Sequence, residues 1–162
     1  MSNKILVKKV DYLDRADAAA LVGLLDMYAR DPMGGSEALN EQVKARLCTD
    51  LAIHPGAVSW IAYVDNKPAG LLNAFKGYST FKARPLMNVH DIAVVAAYRG
   101  QGVGQALLDA LEKHAMEMGC CKLTLEVLSG NHIAQRSYQH FGFEQYALST
   151  ETGQALFMQK WL

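Results

Sequence analysis

The chain has 162 residues, 51% of them apolar, and its 16 Lys+Arg balance 16 Asp+Glu to a formal net charge of +0. That length suits one domain spanning 1–162 with a substantial core, and the balanced charge argues against a general nucleic-acid binder, whose affinity rests on a basic excess. The opening MSNKILVKKVDYL has no long apolar run, so neither a signal peptide nor a membrane span is expected. The three cysteines, Cys48, Cys120 and Cys121, are odd in number and predict no disulfide framework; a reducing cytoplasm is the simplest setting. No Cys/His grouping has zinc spacing, so no metal is expected.

In chain order, ILVKKV (5–10) reads as a first strand and 14–30 as a helix with Asp14 as its N-cap. DPMGGS breaks the chain. Ser36 is then placed to cap a second helix running to about His54, with Leu39, Val43, Leu47 and Leu51 on one face. AVSWIAYV (57–64), the turn DNKP and AGLLNAFKGY (69–78) form a hairpin, and PLMNVHDIAVV (85–95) is the next strand. A helix over 103–118 repeats Val103, Leu107, Leu111, Ala115 and Met118, and Gly119 ends it. CKLTLEVL (121–128) alternates as a strand, 131–141 is a short helix, and 143–149 with 155–161 close the chain as a hairpin. The order β-α-α-β-β-β-α-β-α-β-β gives an α/β class: seven strands in one mixed, mostly antiparallel sheet with helices on both faces. Residues 85–128 form a right-handed crossover with parallel flanking strands.

Between the strand ending at Val95 and the helix stands Arg99-Gly100-Gln101-Gly102-Val103-Gly104, with Gln105 behind it. Three glycines here cost packing and helix stability, about 1 kcal/mol each relative to alanine. A glycine loop entering a helix exposes backbone N–H groups at the positive end of the helix dipole, which is a pyrophosphate cradle. Arg99 adds a charged donor at the rim. The bland alternative is an ordinary tight turn. The Gly-Lys-Ser/Thr of a Walker loop is missing, as are the third glycine and acidic ribose partner of the dinucleotide fingerprint.

Arg99-x-x-Gly102-x-Gly104 after IAVV, the helix and strand that follow, and then NHIAQRSYQHFGF together resemble the Gcn5-related N-acetyltransferases, the GNAT family. YSTFKARPLMNVHDIAVVAAYRGQGVG and STETGQALFMQKWL are similar to the same regions of diamine and thialysine N-acetyltransferases. The resemblance implies a twisted sheet whose parallel pair splays at the cofactor site. It implies that acetyl-CoA is the co-substrate, a small primary amine the acceptor, and a homodimer the assembly. In those relatives adjacent carboxylates precede the loop; here the pair is His90-Asp91.

The resemblance also distributes roles. Residues 99–105 would hold the pyrophosphate. Main-chain groups of Ile92, Ala93 and Val94 would line pantetheine, with an N–H near Ala93 or Val94 aimed at the thioester oxygen. Tyr138 corresponds to the family tyrosine beside the coenzyme sulfur, a general acid for the departing thiolate; otherwise it is a packed helix tyrosine. Asn131 either contacts pantetheine, as Ala134 would, or caps its helix. His90 alternates with Asn88 and Ile92 on one face, with Asp91 on the other; it is either a base for the ammonium or a packed strand histidine. Asp91 either orients the ammonium or bonds nearby backbone. A protein N-terminus or lysine as acceptor, and a coenzyme-A-binding sensor without turnover, are the competing readings.

Overall fold

The structure is a computed structural model describing residues 4–162; the first three residues of the opening stretch, and of the expected 1–162 domain, lie outside the described residues. Its elements are β1 (Ile5–Lys9), α1 (Arg15–Arg30), α2 (Glu41–Ile53), β2 (Ala57–Val64), β3 (Lys67–Ser79), β4 (Arg84–Val94), α3 (Val103–Glu117), β5 (Leu123–Leu125) and α4 (His132–Phe141). Two compact units divide them, one ending at Leu125 and holding the sheet with α1–α3, the other Glu126–Leu162 holding α4.

Local chemistry explains most boundaries. Asp14 accepts the N–H groups of Ala16 and Asp17 and starts α1. The β2–β3 hairpin closes over Asp65 and Asn66, whose φ values of 48° and 63° are those of a two-residue type I′ turn. The second helix begins later than the sequence suggests. Ser36 has φ 64° and does not cap it; Asn40 does, accepting from Gln42 N–H at 2.8 Å. The reason lies in the preceding loop, which folds back over the end of α1: Ser36 N–H bonds Asp31 C=O, and Glu37 N–H bonds Ala29 C=O. Lys44 of α2 pairs with Asp26 of α1 at 3.5 Å and with Glu41 at 3.0 Å.

In the first unit the strand order is β1-β2-β3-β4-β5, with the first four antiparallel and β4–β5 parallel. Leu21 and Leu24 of α1 and Cys48 and Leu51 of α2 pack on Ile61 and Leu71. The opposite face carries α3. A Cβ added to Gly70 would stand 2.9 Å from the Ala93 carbonyl oxygen, 3.1 Å from Val103 Cγ1 and 3.2 Å from Leu107 Cδ1, so a side chain there would crowd both β4 and α3. The Trp60 ring meets the His114 ring edge-on at 5.5 Å. The mixed sheet with helices on both faces is therefore present, but with five strands in place of seven. The strand expected over 121–128 keeps only Leu123–Leu125. In the second unit the expected 143–149/155–161 hairpin is reduced to one bridge, Ala147 with Gln154. Its turn forms, with Ser149 and Thr152 bonding each other's main chain and side chains. A lone two-stranded ribbon buries too little apolar surface to extend further.

Asp17 ties β1 to α1. Its carboxylate takes the Lys8 ammonium at 2.6 Å and the Asp11 N–H at 2.9 Å, and the residue is 2% exposed. Burial alone would raise this carboxyl; the Lys8 and Asp11 hydrogen bonds and the Lys8 charge outweigh it and hold it below its ordinary value. A group lowered by folding stabilises the fold above its ordinary range and loses that contribution as pH falls through its own lowered value. Acid titration of unfolding should therefore show stability declining below about pH 4, and Asp17→Asn should be less stable at neutral pH with a shallower acid slope.

Candidate active site

β4 carries one residue more than β3 can match. Asn73 faces Asp91 and Ala74 faces Val89, which leaves His90 out of the register. This is a β-bulge, and it changes which way two candidate side chains point. Asp91 Oδ2 accepts from Asn73 Nδ2 at 3.0 Å, while the His90 ring lies edge-on to Phe75 at 5.4 Å. Asn73 and Phe75 are two apart on β3 and share a face. His90 and Asp91 therefore sit on the same face, the one covered by α1 and α2, and not on opposite faces as simple alternation predicts. His90 is exposed and Asp91 half-buried.

The pairing with β5 runs only over Met87–Val89 and stops at the residue before the bulge. Beyond it β4 continues along β3. Val95 N–H donates to Ala69 C=O at 2.8 Å. Alternation then turns the main-chain groups of Ala93 toward β3 as well, and those of Ile92 and Val94 away from it. Of the two positions expected to offer an N–H, Val94 presents one on the open side and Ala93 does not. The Val94 carbonyl on that side accepts from Arg99 Nε at 3.2 Å.

The loop expected to be a cradle follows a 3-10 turn over Ala96–Tyr98. Gly100 and Gly102 adopt φ 72° and 86°, the left-handed region where a side chain is strained. Gly102 is the N-cap of α3 and makes no side-chain cap bond. The first-turn N–H groups of α3 thus gather at a helix start whose cap carries no side chain. Gly104 stands against Val94, where an added Cβ would lie 3.8 Å from Val94 Cγ2. Gln101 Nε2 donates to Ala97 C=O. Arg99 does more than line the rim: its guanidinium also reaches Asp31 at the end of α1, at 3.3 Å. The Met33 N–H and the Arg99 bond and charge together hold the Asp31 carboxyl below its ordinary range against the opposing effect of desolvation.

A cavity of about 530 Å³ opens between α1 and the end of β4, lined by Met27, Tyr28, Asp31, Ala93, Val94 and Arg99 among others. Burial, and then the negative charges of Asp91 and Asp31, push the Tyr28 phenol up. Tyr28, Asp31, Asn73 and Ser59 were not singled out from sequence. The last two had left a trace there, as polar residues interrupting the apolar runs AVSWIAYV and AGLLNAFKGY.

In the second unit, Asn131 Oδ1 accepts from Ala134 N–H at 3.1 Å and caps α4, so the capping role is present. Tyr138 lies half-buried on α4, its ring edge-on to Phe143 at 6.0 Å. Among the described residues no group of three or more His, Cys, Asp or Glu is placed to hold a metal ion, and no helix is long and apolar enough to cross a membrane.

The two loop glycines can be separated experimentally. Gly102→Ala is expected to cost about 1 kcal/mol of stability from backbone strain and to weaken binding of inorganic pyrophosphate in titration calorimetry. Gly104→Ala, in ordinary helical conformation with room for a methyl, should leave the melting temperature unchanged or higher.

Known proteins share this architecture. The chain is similar to the thialysine N-epsilon-acetyltransferase of Bos taurus, 38% identical over 65 residues, which is 40% of this chain and 38% of that protein. It is also similar to the L-ornithine N5-acetyltransferase NATA1 of Arabidopsis thaliana, 32% identical over 91 residues, covering 54% of this chain and 40% of that protein. The matches thus span about two-fifths of each relative's length. Among solved structures, AAC(6')-Iy in complex with the bisubstrate analog CoA-S-monomethyl-acetylneamine has the same fold, with a TM-score of 0.77 over 98% of this chain and 99% of that chain at 18% identity. The profile of the Acetyltransferase (GNAT) family matches residues 21–143, a span that contains the bulged β4, the glycine loop and α4. On that match the chain belongs to the Acetyltransferase (GNAT) family.

Proposed function

We propose that this chain is a single N-acetyltransferase domain moving the acetyl group of acetyl-CoA to a primary amine of a small, polyamine- or amino-acid-like molecule. One observation carries the reading. β4 leaves β5 at a bulge, opens the main chain of Ile92 and Val94, and runs directly into a side-chain-free helix start. A linear, anionic, amide-containing cofactor needs such a combination: backbone donors along a strand for its amides, and an uncapped helix terminus for its phosphates. Sequence kinship to proteins named for thialysine and ornithine acetylation supports a small-amine acceptor.

Residues 99–105 would hold the pyrophosphate, with Gly100 and Gly102 letting it approach the backbone. Acetyl-CoA supplies the activated thioester. Val94 N–H is the donor suited to its carbonyl oxygen, where charge builds during attack. Asp91 receives the acceptor ammonium, and His90, beside it on the same face, takes the proton that must leave before nitrogen can attack. Tyr138 gives a proton to the departing thiolate; its support is its place in NHIAQRSYQHFGF. A cytoplasmic homodimer is the assembly this reading carries with it.

The test is mass-spectrometric detection of acetylated product with acetyl-CoA and a panel of diamines, polyamines, lysine analogues, amino acids, aminoglycosides and short peptides. Product from one small-amine class is the expected result. Product from peptides alone would replace the acceptor, and acetyl-CoA binding with no product on any amine would favour a sensor. Tyr138→Phe should slow turnover about 10²-fold or more, and a near-normal rate returns Tyr138 to packing. His90→Ala should lower kcat/KM and change its pH profile; an unchanged profile removes the base role.

A further inference from the structure

Three polar side chains lie in one row across the sheet. Ser59 on β2 faces Asn73 on β3, and Asn73 faces Asp91 on β4. Two residues along, the next row on the same face is Ile61, Leu71 and Ala93, packed with α1 and α2. Ser59 and Asn73 are buried nearly as completely as that apolar row, at 1% and 5% exposure. Buried polar pairs are often replaceable by apolar groups of the same shape at little loss of stability. Stability alone therefore does not require this row.

Its hydrogen bonds run in one direction. Asn73 Oδ1 can only accept, so the Ser59 hydroxyl donates to it, at 2.6 Å. With its one proton committed, Ser59 Oγ accepts from the Tyr12 hydroxyl at 2.8 Å. Asn73 Nδ2 then donates to Asp91 Oδ2 at 3.0 Å. Tyr12, Ser59 and Asn73 thus point head to tail at one carboxylate, and donors in series polarise one another. Burial pushes the Tyr12 phenol up despite the opposing effect of its bond to Ser59, so it stays a donor at neutral pH. The row ends where control is most needed. His90 drops out of the ladder next to Asp91, and the β5 pairing has already stopped. A bond at Oδ2 restrains the rotation of the carboxylate, and with it the direction in which Oδ1 is presented.

We infer that Tyr12, Ser59 and Asn73 form a positioning relay that holds the Asp91 carboxylate in one orientation to receive the acceptor ammonium. The inference rests on the role proposed above for Asp91. Steady-state kinetics with L-ornithine and 1,5-diaminopentane at saturating acetyl-CoA test both. Asp91→Asn and Asn73→Leu should each raise the acceptor KM about tenfold, the loss of a hydrogen bond to a charged group, with the acetyl-CoA KM unchanged. The double variant should be no worse than either single one, because both remove the same interaction. Ser59→Ala and Tyr12→Phe should raise the acceptor KM less, and Ser59→Thr, which keeps the hydroxyl, should restore it.

If Asp91→Asn raises KM while Asn73→Leu and Tyr12→Phe do not, the relay is overturned and the anchor stands. If Asp91→Asn changes nothing, the anchor falls and the relay with it. Should Asn73→Leu fail to fold, Tyr12→Phe carries the test, since it removes one half-buried oxygen. An arm independent of turnover is the side-chain amide signal of Asn73 in ¹H–¹⁵N spectra. It should move in both Tyr12→Phe and Asp91→Asn; a signal unmoved by Tyr12→Phe overturns the relay.

Discussion

The bulge at His90 is the constraint on which the rest of the site depends. One unmatched residue in β4 puts His90 and Asp91 on the same face, against Phe75 and Asn73. A bulge also sharpens local twist, and the pairing with β5 stops immediately before it. The main chain of Ile92 and Val94 faces away from β3 as a result, in a segment that leads straight to the glycine loop.

The two faces of the sheet divide the work. On one, α1 and α2 cover the strands and leave the cavity at the end of β4, where Tyr28, Asp31 and Arg99 gather. On the other, α3 packs closely on Gly70 through Val103 and Leu107. The Arg99 guanidinium links the two by bonding both Val94 C=O and Asp31. The glycine loop and the helix end that borders the cavity are thus joined through one side chain.

Buried polarity is concentrated where the proposed chemistry is. Ser59, Asn73 and Asp17 are the buried polar or charged residues among those described. Asp17 secures β1 to α1, and the other two lead to Asp91. Among the described residues no buried side-chain nitrogen or oxygen lacks a partner. Such satisfaction rigidifies a site, because every donor has one place to point.

The local sequence was enough for much of this. Period-2 and period-3.6 apolar patterns placed α1, β2, β3, β4 and α3 close to their observed bounds, because those elements bury one face and the pattern records it. The glycine loop was legible because left-handed φ values select glycine directly, and Asp14 and Asn131 because caps are short-range bonds. Family membership followed from the same local features. Tertiary structure alone decided the rest. Ser36 lost the cap to Asn40 because the loop folds back on the end of α1, an arrangement that its residue types do not signal. The expected C-terminal hairpin shrank to one bridge because alternation marks strands that could form but not what they would pack against. The shared face of His90 and Asp91, and the row from Tyr12 to Asp91, arise from register between strands. Register is a property of pairs of strands, and a single residue of slip reverses which side chains meet.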